Sequence, residues 1–241
     1  HETTLDIVLN HLSKLEKILD GIYLINELSP KTTDKLLSFG ELLSSLIIYE
    51  TMKLHDLNIQ LKNSQNLIVT DSNFTNAAVN FGETNENIVT YFDSNDKIIS
   101  ILPGFISKSE NGEITTLGRG GSDYTAAIIA AAMTASVLQI WTDVSGMFTS
   151  NPKSVKNAKP IKKLSYLEAI ELSHFGAKVL YPPTVLPVLS KHIPLLIKNT
   201  LAPQDEGTLI THLVENRNPN PIKGISTVSY THLTLPTRSY V

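Results

Sequence analysis

Three of the chain's twelve glycines fall within four residues, in Thr116-Leu117-Gly118-Arg119-Gly120-Gly121-Ser122-Asp123. Glycine admits the positive φ angles that let a backbone turn tightly and come close to a ligand. An Ala-rich, helix-forming run follows at about 122–135. A helix start offers unpaired N–H groups and a positive dipole end, so strand, glycine turn and helix together make an anion site. No Gly-Lys-Ser/Thr follows, which excludes a Walker A loop, and Asp123 occupies the place of the third glycine in a dinucleotide fingerprint. The plain alternative is a turn with Ser122 or Asp123 as helix N-cap. Arg119 favours the ligand. A guanidinium held between glycines suits bidentate recognition of a carboxylate or phosphate, and capping needs no arginine.

Other candidates stand beside this turn. Glu41 lies in a helix that reads as apolar on most sides, with Leu37 and Ile48 on its stripe. Gly40 before it costs about 1 kcal/mol relative to alanine, so the pair suggests close approach by a ligand or else a partly exposed edge. Thr142-Asp143 follows a strand at its carboxyl end, where open α/β sheets hold their ligands, although Asp143 also suits an ordinary turn. Lys178 sits in the apolar stretch Phe175–Leu180, placed either for a phosphate or for snorkelling to solvent. The lysines at 153, 156, 159, 162 and 163 read as a solvated face, with Lys153 the exception to watch. The Ala126–Ala135 helix reads as buried support with no chemistry of its own.

Much chemistry is excluded outright. Zero cysteines remove disulfides, thiolate nucleophiles and sulfur-ligated metal sites. The seven histidines form no H-E-x-x-H pair, so a protein metal site is not expected, and no G-x-S-x-G elbow occurs. Twenty basic and twenty-three acidic side chains leave a net charge of −3, with no footprint for nucleic acid. The longest apolar run, Ala126–Met133, is far below the roughly 20 residues of a spanning helix. The N-terminus has neither the charge nor the apolar stretch of a signal peptide, and it lacks an initiator Met, as a chain beginning in mid-protein would.

The elements that must position these groups alternate between helix and strand, the mark of an α/β fold. The spacing predicts helices over residues 3–19, from Pro30 to about His55 behind a Ser29 N-cap, over Thr84–Asp93, Ser165–Phe175 and Thr184–Lys191. Strands are expected at Leu67–Thr70, Ile98–Ser107, Glu113–Thr116, Val137–Trp141, Leu195–Lys198 and Thr208–Leu213. Asn111-Gly112 marks the turn between the second and third of these. Residues 216–221, with two prolines and three asparagines, read as a linker, and Ser226–Val241 carries neither period.

Taken in order, Gly104-Phe105-Ile106, Thr116–Ala127, Trp141–Val144, Phe175–Leu180 and Gly207–Leu209 resemble the aspartate kinases of the amino-acid kinase superfamily. Gly40-Glu41-Leu42 fits the same family's upstream helix. Ser145–Thr149 and Ile197–Thr200 are most similar to the bifunctional aspartokinase/homoserine dehydrogenases. The resemblance implies a three-layer α/β sandwich with a mainly parallel central sheet, missing its opening strand. It implies transfer of the ATP γ-phosphoryl group to the β-carboxylate of L-aspartate, with Mg²⁺ carried by the nucleotide, as the first step toward lysine, threonine and methionine. By it, Glu41, Phe105, Arg119 and Ser122 line the aspartate pocket, with Arg119 on the α-carboxylate. Gly120, Gly121, Asp123, Thr142, Asp143, Phe148, Lys153, Lys178 and Val179 surround the nucleotide, with Lys178 near its phosphates. Arg119, Asp123 and Lys178 are the implied catalytic set.

The chain departs from the family in places. It contains no Lys-Phe-Gly-Gly strand, the family's usual tyrosine is Phe148, and the usual Asp-Pro-Arg is Asn151-Pro152-Lys153. Residues 1–215 are thus expected to form a partial catalytic domain and 216–226 a linker toward an ACT regulatory domain. The tail at 227–241 is left unassigned and open to being non-native. The resemblance also implies a cytoplasmic enzyme, homo-oligomeric in its intact form and without nucleic-acid or membrane partners. A catalytically impaired nucleotide-binding fragment, or a kinase of another carboxylate, are the alternatives.

Overall fold

A computed structural model of the chain describes residues 3–95, 98–152, 154–174, 180–212 and 222–225. The expectations for Lys153, Lys178, Val179 and the tail at 227–241 lie outside the described residues, as does most of the linker. In chain order the helices are α1 (Thr4–Ile25), α2 (Pro30–Lys53), α3 (Phe81–Asp93), α4 (Gly121–Ala132), α5 (Tyr166–His174) and α6 (Leu186–Ser190). The strands are β1 (Ile59–Leu61), β2 (Val69–Thr70), β3 (Ile99–Ile101), β4 (Ile106–Ser109), β5 (Ile114–Thr116), β6 (Leu138–Thr142), β7 (Lys163–Ser165), β8 (Leu195–Asn199) and β9 (Thr208–Thr211). Two compact units result. One comprises His1–Leu138 with Pro183–Ile193, the other Gln139–Pro182 with the chain from Pro194 on.

In the first unit β1 pairs with β3 in parallel, while β2 runs parallel to β4, which pairs with β5 in an antiparallel hairpin. The helix starts follow from local chemistry. Thr3 and Asp6 form a reciprocal capping box, and the Ser29 hydroxyl accepts the Thr32 N–H at 3.2 Å ahead of Pro30. The core is Leu67, Ile68, Ile88, Leu117 and Ile128, with Val79, Phe92, Tyr124 and Met133 packed against it. The sheet β2–β4–β5 also buries a chain of hydroxyls: Thr70 Oγ1 meets Thr115 Oγ1 at 2.7 Å, which meets Ser107 Oγ at 2.9 Å. The expected strand Ile98–Ser107 is two strands, broken at Pro103-Gly104-Phe105, and only the end of Leu67–Thr70 pairs. The helix expected to end at residue 19 continues to Ile25, where Asn26 closes it at φ 51°.

In the second unit the strand order is β6–β8–β9–β7, with β7 parallel to β9 and β8 antiparallel to it. Met147, Leu164, Leu195, Ile197 and Ile210 are fully buried there. Lys162 and Lys163, expected on a solvated face, are both exposed; Lys163 opens strand β7, whose Leu164 is buried. Burial pushes the Glu168 carboxyl up, but hydrogen bonds from Lys223 and Ser165 outweigh it and hold the group below its usual range.

Thr208 ties this unit together. Its hydroxyl accepts the Met147 N–H at 2.8 Å and donates to the Ile161 carbonyl at 2.6 Å, all of it buried. Thr208→Val keeps the shape and strands both backbone groups, so urea unfolding should show a loss of about 2–3 kcal/mol. A loss within about 0.5 kcal/mol would contradict the role given to the hydroxyl.

Candidate active site

The glycine turn forms as its composition requires. Gly118 and Gly120 stand at φ +71° and +69°, values open to glycine and costly for other residues. Gly120 is itself the N-cap of α4, and no side chain caps that helix. The alternative of a Ser122 or Asp123 cap is thereby corrected: both lie inside the first turn, and Ser122 is exposed. An uncapped 12-residue helix leaves first-turn N–H groups without intrahelical acceptors, with exposed Arg119 on the turn beside them. Burial pushes the Asp123 carboxyl up, and it does the same to the Tyr124 hydroxyl. Both sit where a charge is poorly solvated.

Gly104-Phe105 closes against this turn. A Cβ on Gly104 would lie 2.8 Å from Ser122 Cα, and one on Gly121 would lie 2.6 Å from the Phe105 ring. Both glycines are therefore demanded by close approach. Phe105 itself is held at φ +69°, rare for an aromatic residue and a recognised sign of stored strain at functional sites. Its N–H donates to Thr125 Oγ1 at 3.0 Å, and that hydroxyl donates in turn to the Gly121 carbonyl at 3.0 Å. The Phe105 carbonyl accepts the Leu117 N–H at 2.9 Å. Phe105 thus packs against the turn that carries Gly120, Gly121, Ser122 and Asp123.

Glu41 is on α2, and its surroundings correct one expectation. Leu37 and Ile48 are 47% and 49% exposed, so they do not enclose it. Its face is instead a polar stripe. Asp34, Ser38 and Ser45 are buried, each within about 60° of Glu41's angular position at 100° per residue. Ser38 and Ser45 donate to carbonyls of their own helix, while Glu41 is half-buried with its carboxyl raised by burial. Beyond its own helix backbone and chain neighbours, no atom of the described residues lies within 4 Å of a Cβ built on Gly40, so packing among them does not require that glycine.

Asp34 was not singled out from the sequence. It is fully buried, accepting the Thr75 N–H at 2.8 Å, the Thr116 N–H at 3.1 Å and the Thr116 hydroxyl at 2.7 Å. Its seven-residue spacing to Glu41 was the available signal. An Asp in an amphipathic helix otherwise reads as a solvated face.

In the second unit, Thr142 ends β6 and its carbonyl accepts the Thr200 N–H at 2.8 Å, while its hydroxyl meets the exposed Asp143 at 3.2 Å. The turn beyond is fixed by Ser145, which donates to Asp205 and accepts from Asn199. Gly146 at φ +95° abuts Thr208, where a Cβ would be 2.4 Å from the hydroxyl. Phe148 is half-buried and bridges to Pro160. Lys198 lies 5.5 Å over the Trp141 ring. Among the described residues no cluster of three His, Asp or Glu could cage a metal, and no helix is long and apolar enough to cross a membrane. A cavity of about 330 Å³ lined by Gln65, Glu83, Asn87, Lys108 and Glu110 includes none of the candidates.

Comparison with known proteins agrees with these features. The profile of the amino acid kinase family matches residues 6–199. A bifunctional aspartokinase/homoserine dehydrogenase from Buchnera aphidicola is 38% identical over 211 residues, 87% of this chain and 26% of that protein. The lysine-sensitive aspartokinase 3 of Escherichia coli is 37% identical, over 84% of this chain and 46% of its own length. The crystal structure of E. coli aspartokinase III with aspartate and ADP superposes with a TM-score of 0.77 at 36% identity, covering 85% of this chain and 47% of that one. The chain therefore spans between a quarter and a half of these relatives.

Proposed function

Because the chain belongs to the amino acid kinase family, we propose that the intact protein is an aspartate kinase, forming 4-phospho-L-aspartate from ATP and L-aspartate. The observation that carries the proposal is Arg119, raised between Gly118 and Gly120 beside the uncapped start of α4. Two anions must meet in this reaction, and catalysis consists of positioning them and neutralising their charge. Arg119 grips the α-carboxylate as a planar fork, and Glu41 takes the ammonium group. Phe105 and Ser122 border the same acceptor, while the N–H groups of Ser122 and Asp123 face developing negative charge.

The nucleotide contacts in this reading come from Gly120, Gly121, Asp123, Thr142, Asp143, Phe148, Lys153, Lys178 and Val179. Lys178 offsets phosphate charge. Magnesium, which holds its waters tightly and binds largely through phosphate oxygens, needs no protein cage and rides on the nucleotide, where it would lower the charge barrier. The proposal includes a cytoplasmic, homo-oligomeric enzyme. It is supported by the E. coli relative whose structure carries aspartate and ADP.

The test is ADP release by the intact protein with aspartate, glutamate and N-acetylglutamate as acceptors. Aspartate-dependent release is expected, and turnover with glutamate or N-acetylglutamate but not aspartate would overturn the assignment. Glu41 adds a pH signature. Only its ionised form holds an ammonium group, and its carboxyl titrates above the usual value of 4.5. The KM for aspartate should therefore rise as pH falls toward that raised value, earlier than an ordinary glutamate would allow. Glu41→Gln should raise KM roughly tenfold or more at neutral pH and flatten this acid limb. A limb that persists in the variant assigns the titration elsewhere.

A further inference from the structure

We propose that Asp34 is a positioning residue, whose carboxylate fixes the Gly118–Gly121 turn relative to helix α2 and so sets the affinity for the amino-acid substrate. The inference rests on the aspartate-kinase reading and adds to it a residue that touches neither substrate. One Asp34 oxygen, Oδ2, accepts both the Thr75 and Thr116 N–H groups, and Oδ1 accepts the Thr116 hydroxyl. Both acceptor atoms are consumed by protein, inside a site with no exposure.

Two routes run from this carboxylate to the same glycine. Thr116 is the last residue of β5, two positions before Gly118, and its carbonyl accepts the Ala77 N–H at 2.9 Å. Thr75 stands at φ +72°, a region β-branched residues seldom enter, and its N–H is held there by Asp34. A Cβ on Gly118 would lie 3.2 Å from the Thr75 carbonyl oxygen and 2.5 Å from Asn76 Oδ1. Loop 71–77 and the end of β5 therefore press the glycine turn from two sides, and Asp34 holds both.

Helix geometry supplies the reason for such a fixture. Glu41 follows Asp34 by seven residues, on the same face and roughly 10 Å along the axis. The α-carboxylate and ammonium of an amino acid are separated by a single carbon, so the groups that hold them must keep a fixed separation. Arg119 rides on the turn and Glu41 on the helix, and the Asp34 hydrogen bonds tie the loop and strand end that flank the turn to that helix. Packing alone would join the two elements more cheaply than a buried carboxylate, but without its directionality.

The experiment compares Asp34→Ala and Asp34→Asn in the intact protein. An asparagine oxygen can accept both N–H groups while its amide donates to Thr116 Oγ1, whereas alanine loses all three bonds. Asp34→Ala should raise the aspartate KM at least tenfold with the ATP KM within twofold. Asp34→Asn should stay within about threefold of wild type for both. Amide exchange of residues 116–121 should accelerate in the alanine variant only. A folded Asp34→Ala protein with unchanged aspartate KM and unchanged exchange, or with both KM values rising equally, overturns the inference. If that variant does not fold, Thr116→Val decides, since it removes only the hydroxyl bond to Oδ1. A threefold or greater rise in aspartate KM supports the role, and an unchanged value refutes it. Failure of the aspartate-kinase reading shows separately, as wild-type protein that does not turn over aspartate.

Discussion

Arg119→Ala should cut kcat/KM for aspartate by about 10²–10³. The size follows from the contact it removes. A bidentate, charge-assisted pair with a carboxylate is among the strongest polar contacts a protein makes, and about 3–4 kcal/mol of lost transition-state binding corresponds to that range. Arg119→Lys should recover part of the loss but remain at least tenfold impaired, since an ammonium keeps the charge and forfeits the fork. Steady-state ADP release across aspartate concentrations checks both. A kcat/KM within threefold of wild type in the alanine variant would remove Arg119 from the site.

Gly207→Ala carries the largest expected loss of stability. Gly207 stands at φ +76°, and an added Cβ would sit 2.0 Å from the Ile197 carbonyl oxygen. Ile197 pairs with Thr208, so relief of that clash must open the β8–β9 ladder at its end, next to the buried Thr208 hydroxyl. A loss above about 3 kcal/mol, or failure to fold, is expected. Gly40→Ala is the matched control: it lies within α2 with open space around its Cβ position. Alanine there should be neutral or stabilising by about 0.5–1 kcal/mol. Urea unfolding of both variants reads the contrast, and equal losses would contradict the geometry.

The glycine turn was legible in the sequence because its chemistry is local. Gly118, Gly120 and Gly121 sit beside one arginine, and the backbone angles those glycines permit are the ones found. Ser29-Pro30 marked the start of α2 for the same reason. What escaped was decided by tertiary contact. Strands β1 and β7 are three residues each, too short for a period to register, and exist through pairing with β3 and β9. The helical stripe through Leu37 and Ile48 looked like a core face, yet α2 turns Asp34, Ser38 and Ser45 inward instead. No local rule assigns a buried acceptor to Asp34, because its three donors come from Thr75 and Thr116, 41 and 82 residues away. Phe105 could be placed beside the turn only through resemblance, and its left-handed backbone was not visible at all.

That left-handed phenylalanine constrains how position 105 can drift over evolutionary time. Most mutational steps away from it meet a backbone filter before any demand of ligand chemistry is tested: valine and isoleucine seldom enter this region, and threonine does so only where, as at Thr75, other contacts hold it. Glycine and asparagine pass the filter but surrender the ring that leans on Gly121. Diversity among descendants of this sequence should therefore be narrow here for a reason of chain geometry, and a profile of tolerated residues would mistake that narrowness for catalytic selection.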